Sequence, residues 1–156
     1  MKKNIMIAFD DSENASRTVE FVGDFFSTEC NITLYSIFLD SEAFLLMSSP
    51  DLSSYVIAEK NAFMQLDEEK KGSLKKAQEM AKEKLVKKGF RDEDIICRIE
   101  KIKNGIARDI INESHKGFDV IVLGRRGLSA IKEFFIGSVS HKVFTEVKDN
   151  SILVVN

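Results

Sequence analysis

Five short apolar runs, each separated from the next by a stretch of helical periodicity, constrain this chain more than any other feature. They are "NIMIAF" (4–9), "NITLYSIFL" (31–39), "DIICRIEKI" (94–102), "FDVIVLG" (118–124) and "SILVV" (151–155). Runs this short and this apolar suit strands covered on both faces. The third alternates more than the others and reads as nearer an edge; the fourth is the most apolar and reads as central. Between the runs, Val19, Val22 and Phe26 recur at helical spacing, with Phe21 and Phe25 widening the stripe and Asp11 or Ser12 placed to cap the first turn. Ala62, Leu66, Leu74, Ala77, Ala81 and Leu85 mark a long helix over 61–88, with an interruption and bend expected at Gly72 and a stop at Gly89. Ile106, Ile110 and Ile111 point inward from a helix within 104–117, and Val139, Val143, Phe144 and Val147 form one stripe over 137–147. Residues 40–60 hold the only proline and a cluster of serines, and read as an irregular excursion.

Strands alternating with helices dictate a doubly wound α/β fold: a five-stranded parallel sheet with helices on both faces and right-handed crossovers. At 156 residues the chain is expected to be a single domain spanning 1–156. The pattern alone leaves strand orders 3-2-1-4-5 and 2-1-3-4-5 both open. A formal charge of −2 offers no basic face for nucleic acid or an anionic membrane, and no apolar run approaches the length of a membrane span. Cys30 and Cys97 match no metal-ligand spacing and fit a reducing compartment. A cytoplasmic location is the expectation.

In such a sheet, ligands bind beyond the carboxyl ends of the strands, where the strand order reverses. The stretch "GRRGLSAIKEFFIGSVS" (124–140) begins there. Gly124 and Gly127 permit close approach of a ligand or another backbone. Gly137 and Ser138 open the last helix, whose first N–H groups lack internal partners and carry partial positive charge. A phosphate seated there accepts several N–H bonds. Ser138 and Ser140 add hydroxyls, and Arg125 and Arg126 are placed to add charge-assisted bonds. The spacing also fits a plainer reading, in which the glycines punctuate turns and Ser138 is an N-cap.

"GRRG", nine residues, then "GSVS" resembles the G-x2-G-x9-G-[ST] phosphate motif of the ATP-binding branch of the universal stress protein family. The resemblance extends to "IMIAFDDSENA", "ITLYSIF", "NGIARDII" and "DVIVLGRRGLS". It implies strand order 3-2-1-4-5, with Asp10 and Gly124 flanking one cleft. It further implies that Asp10 contacts the nucleoside or a Mg²⁺ on the phosphates, that backbone around Ile37 meets the adenine edge, and that Gly127, Gly137, Ser138, Val139 and Ser140 hold the phosphates. The family also implies a homodimer through the C-terminal strand.

Two departures stand out. Asp11 replaces the glycine usual after the first-strand aspartate; it repels phosphate, helps hold Mg²⁺, or caps the helix, the last being the default. The last strand lacks the preceding Cys-Pro often found in the family, which leaves the pairing mode open. An ATP-binding regulatory protein is the first functional expectation. A slow ATP hydrolase or phosphotransferase on the same site is the second, because no assembled base is visible beside the acids and arginines. A nucleotide-free dimeric interaction protein is the third. GxxxxGK[ST] and GxSxG are absent, and the acid and lysine positions of a phospho-receiver domain are not filled.

Overall fold

The first strand of the chain lies at the middle of the sheet. A computed structural model describes residues 1–41, 60–126 and 136–156. The strands are β1 (Asn4–Ala8), β2 (Asn31–Phe38), β3 (Ile95–Lys101), β4 (Val120–Gly124) and β5 (Ser151–Val155). All neighbouring pairs are parallel and the order is β3-β2-β1-β4-β5. The two strand orders left open by the apolar pattern are thus resolved in favour of 3-2-1-4-5. β3 is an edge, as its alternation suggested, and β1 and β4 are neighbours at the point where the order reverses.

Residues of opposite parity feed two cores, as the two-residue repeat of a strand requires. On one face Ile5, Ile7, Ile32, Leu34 and Val122 pack against α1 (Glu13–Phe25) and α2 (Lys60–Lys87). On the other, Met6, Tyr35, Ile121 and Leu123 pack against α3 (Ile106–Ser114) and α4 (Ser138–Glu146). Burial, and next the charge of Glu113, push the Tyr35 phenol up to about 12, so it stays neutral in the second core.

The stop at Gly89 is a Schellman motif. Gly89 has φ +98, its N–H donates to the Val86 carbonyl at 2.9 Å, and the Phe90 N–H donates to the Leu85 carbonyl at 3.2 Å. Phe90 and Leu85, the hydrophobic pair that accompanies this motif, are both buried.

Three helical expectations need correction. α2 runs through Gly72 without the expected interruption, and a Cβ there would meet nothing within 4 Å among the described residues, so no close neighbour calls for glycine. The apolar stripe of α2 is buried only from Leu74 onward, while Ala62 and Leu66 are exposed. Twenty-eight residues make a helix of about 42 Å, longer than the about 27 Å of the eight-residue β2, so the first half overhangs the sheet. Finally, Ile106 and Phe144 are exposed at 37% and 56%. Ile106 opens the first turn of α3, and Phe144 is displaced about 100° around α4 from buried Val143. The excursion expected at 40–60 lies outside the described residues except for Asp40, Ser41 and the start of α2. There the Ser41 N–H donates to Asp67 at 2.8 Å, fastening the chain just beyond β2 to α2.

Candidate functional site

Several of the expected residues lie at or just beyond the carboxyl ends of β1, β2 and β4. Ala8 pairs with Tyr35 on β2 and with Leu123 on β4. Asp10 follows the end of β1 by two residues, Arg125 follows the end of β4 by one, and Ile37 is the penultimate residue of β2. The Phe9 N–H donates to the Tyr35 carbonyl at 2.8 Å, so β1 stays in register with β2 one residue past its end.

At the end of β1 the chain turns into α1. The Ser12 hydroxyl caps that helix, accepting from the Ala15 N–H at 3.2 Å, and so resolves the choice between Asp11 and Ser12. Asp10 Oδ1 in turn accepts from the Ser12 N–H at 3.1 Å and from the Ser12 hydroxyl, which fixes the Asp10 carboxylate against the turn. Asp11 is exposed and does not cap.

Beyond β4 the chain departs and returns to the same place. The Arg125 N–H donates to the Val155 carbonyl at 2.6 Å, and the Arg125 carbonyl accepts from the Gly137 N–H at 2.8 Å. The Ser140 hydroxyl donates to the Gly124 carbonyl at 2.7 Å. The first turn of α4 is therefore bound to the last residue of β4 and the one after it. Gly127 lies outside the described residues. Gly124 is a point of close packing: a Cβ there would sit 3.2 Å from the Arg126 carbonyl oxygen, 3.3 Å from Asn14 Cβ and 3.4 Å from Thr18 Oγ1. The Ser140 hydroxyl proton is committed to the backbone, so its side chain positions the helix mouth and leaves donation at this mouth to other groups.

The N-cap of α4 is Gly137, not Ser138, and among the described residues no side-chain cap is present on the helix. Gly137 has φ −67 and ψ 152, an extended conformation open to any residue. Its backbone angles therefore give no reason for glycine, in contrast to Gly105 at the start of α3, where φ is +113. Serine, threonine, aspartate or asparagine at an N-cap would turn an oxygen onto the N–H groups of the first turn. Glycine leaves the N–H groups of Val139 and Ser140 without a cap of their own, and they sit beside the Ser138 N–H at the positive end of the helix.

A cleft of about 120 Å³ lies between the β1–α1 turn and α2, lined among others by Phe9, Asp11, Ser12, Ala77, Ala81 and Lys84. It is too small for a nucleotide, whose sites begin near about 300 Å³, and α4 does not line it. Among the described residues no group of three or more His, Cys, Asp or Glu converges as a metal site.

Residues 1–155 match the model of the Universal stress protein family. The chain belongs to the universal stress protein family. This universal stress protein is similar to the universal stress protein YxiE of Bacillus subtilis (strain 168), with 30% identity over 156 residues and 99% of each chain covered. It is similar in structure to the hypothetical protein MJ0577, at 25% identity and TM-score 0.70, covering 99% of this chain and 96% of that one. A universal stress protein solved in complex with cAMP shares the fold at 14% identity and TM-score 0.59, with 99% of this chain and 97% of that one covered. No helix among the described residues is long and apolar enough to cross a membrane.

Proposed function

We propose that this universal stress protein binds ATP at the carboxyl rim of β1 and β4 and acts as a regulatory factor. The observation that carries the reading is the glycine N-cap of α4. Its backbone angles do not call for glycine, it brings no side chain of its own to cap the first turn, and its N–H ties that turn to the end of β4. An acceptor with several oxygens, such as a phosphate chain, completes what the helix lacks. The family resemblance and the cAMP complex of a relative of the same fold support a nucleotide as that acceptor.

The donor set fits the polyphosphate: the N–H groups of Ser138, Val139 and Ser140, and the Ser138 hydroxyl on an exposed residue. Gly127 and Arg125 are assigned to the same seat. Ile37 is assigned to the adenine edge by the family resemblance and by its place near the end of β2. For Mg²⁺ the protein supplies Asp10, with exposed Asp11 beside it. One or two carboxylates plus phosphate oxygens suffice for an ion that keeps most of its waters. Mg²⁺ would offset phosphate charge beside these acids. The reading is of binding rather than turnover, because the Asp10 carboxylate is engaged by Ser12 in shaping the turn. Assembly as a homodimer through β5 and a cytoplasmic setting complete the proposal.

A thermal shift tests it. At Mg-ATP about 100-fold above Kd, the bound state gains about 2.7 kcal/mol, enough to raise Tm visibly. A well-folded sample with no shift, and with no adenine nucleotide released on denaturation, rejects the reading. Turnover at about 1 s⁻¹ or faster would replace binding with phosphoryl transfer as the primary activity.

A further inference from the structure

A buried glutamine on the long helix reaches the turn that carries Asp10. Gln78 of α2 is 1% exposed, and its side-chain nitrogen lies 3.1 Å from the Leu34 carbonyl, 3.1 Å from the Arg98 carbonyl and 2.7 Å from the Ser36 hydroxyl. Two of these partners are backbone carbonyls, which only accept, so the amide must face them with its nitrogen. The nitrogen has two hydrogens for three acceptors. The shortest contact takes one, and the two carbonyls share the other. The Ser36 oxygen therefore accepts, and its own proton goes to the Phe9 carbonyl at 2.6 Å. Ser36 is itself 1% exposed, so water does not substitute for either bond. The chain of donors runs one way, from α2 through β2 to the residue that precedes Asp10.

We propose that Gln78 is a positioning residue for the nucleotide turn, acting through Ser36 on the Phe9 carbonyl and so on where Asp10 sits. Phe9 is held to β2 by both of its backbone polar groups: its N–H by the Tyr35 carbonyl, its carbonyl by the Ser36 hydroxyl. Ser36 immediately precedes Ile37, so the same two bonds set the spacing between the two ends of the proposed nucleoside seat. The inference rests on the nucleotide reading for its consequence in binding, but its structural part stands without a ligand.

The experiment compares Gln78→Met and Ser36→Ala with the parent in the full-length chain. A control is Leu85→Ala, which destabilises the same helix without touching the relay. Two quantities are read under conditions where every variant is folded. The first, without ligand, is hydrogen exchange at the Ser12 and Ala15 amides, both bonded within the turn. Faster exchange than in a control of equal stability is expected for both relay variants. The second is the Mg-ATP dissociation constant, expected to rise about tenfold for each relay variant and to change little in the control. The double variant is expected to cost much less than the product of the two, because both remove one chain of bonds. Exchange that follows global stability alone in all three variants overturns the proposal, whether or not the parent binds nucleotide. Altered exchange in a parent that ignores Mg-ATP upholds the positioning role and rejects the nucleotide reading instead. Altered exchange with unchanged affinity in a binding parent overturns the link to the site.

Discussion

Gly137 and Gly124 lie at the same rim and are glycines for different reasons. At Gly137 the backbone is ordinary, and the residue brings no side chain of its own to the N–H groups of the helix. Replacing it by asparagine is expected to move two quantities in opposite directions. Asparagine caps the helix itself, adding a few tenths of a kcal/mol to stability, while its side chain occupies the N–H groups and abolishes Mg-ATP binding. Urea unfolding and calorimetric titration on one sample read both. At Gly124 a Cβ would press on α1, with Asn14 and Thr18 at 3.3 and 3.4 Å. Gly124→Ala is therefore expected to cost about 1–3 kcal/mol as overpacking, seen as a lower denaturant midpoint with an unchanged slope. This contact could not be read from the sequence. Spacing marks a glycine but does not say whether a ligand or a neighbouring helix comes near it. Nor does spacing distinguish the two candidates for the α1 cap, Asp11 and Ser12, since both residue types are good caps and the choice depends on a one-residue difference in where β1 ends.

At the level of elements, the ends of helices were the most legible parts. Gly89 at the end of α2 was marked by sequence because a stop with positive φ is nearly a glycine monopoly, and φ +98 with the buried Leu85–Phe90 pair shows why. Gly89→Ala is expected to lower stability by about 1 kcal/mol or more, while an equivalent change at Gly72, where space is open, is expected to raise it by about 0.5–1 kcal/mol through helix propensity. Parallel thermal melts of the two variants decide this. Periodicity was a poorer guide to burial. The stripe through Ala62 and Leu66 continues the pattern of Leu74, Ala81 and Leu85, yet the helix is longer than the strands and these two residues stay exposed. Amides in 60–73 are accordingly expected to exchange through local opening, and those of 77–87 only near the global limit, in a native-state exchange series.

Across the whole molecule, the alternation of apolar runs and helical stretches determined the layers, and the two cores follow from strand parity. Strand order did not follow. Nothing local distinguishes 3-2-1-4-5 from 2-1-3-4-5, since each connects the same elements with right-handed crossovers; the choice rested on resemblance. The long-range ion pairs were equally hidden. Asp119, just before β4, is held below the usual carboxylate range by a hydrogen bond from the Lys3 ammonium and another from the Asn4 N–H. Asp94, beside β3, is lowered by hydrogen bonds from Lys2 and Arg91. A carboxylate whose folded value is depressed contributes stability fully above its unfolded value near 3.9, and loses it as pH falls through the folded value. Tm is therefore expected to fall on acidification from about pH 5 downward, and Asp119→Asn to flatten that limb. An acid limb of the same steepness in the variant would count against the assignment.

The central place of β1 has a further consequence for how the chain is made. β2 follows it within a few dozen residues, but β4, its other neighbour, begins at Val120. A chain emerging from the ribosome thus carries β1 with one bare side until most of its length has been synthesised. The helix mouth beyond β4 comes later still. Nucleotide, if it binds there, cannot guide early folding and can only reward a molecule that is nearly finished. Nascent chains released before residue 120 would then be expected to cling to one another or to chaperones, whatever the supply of ATP.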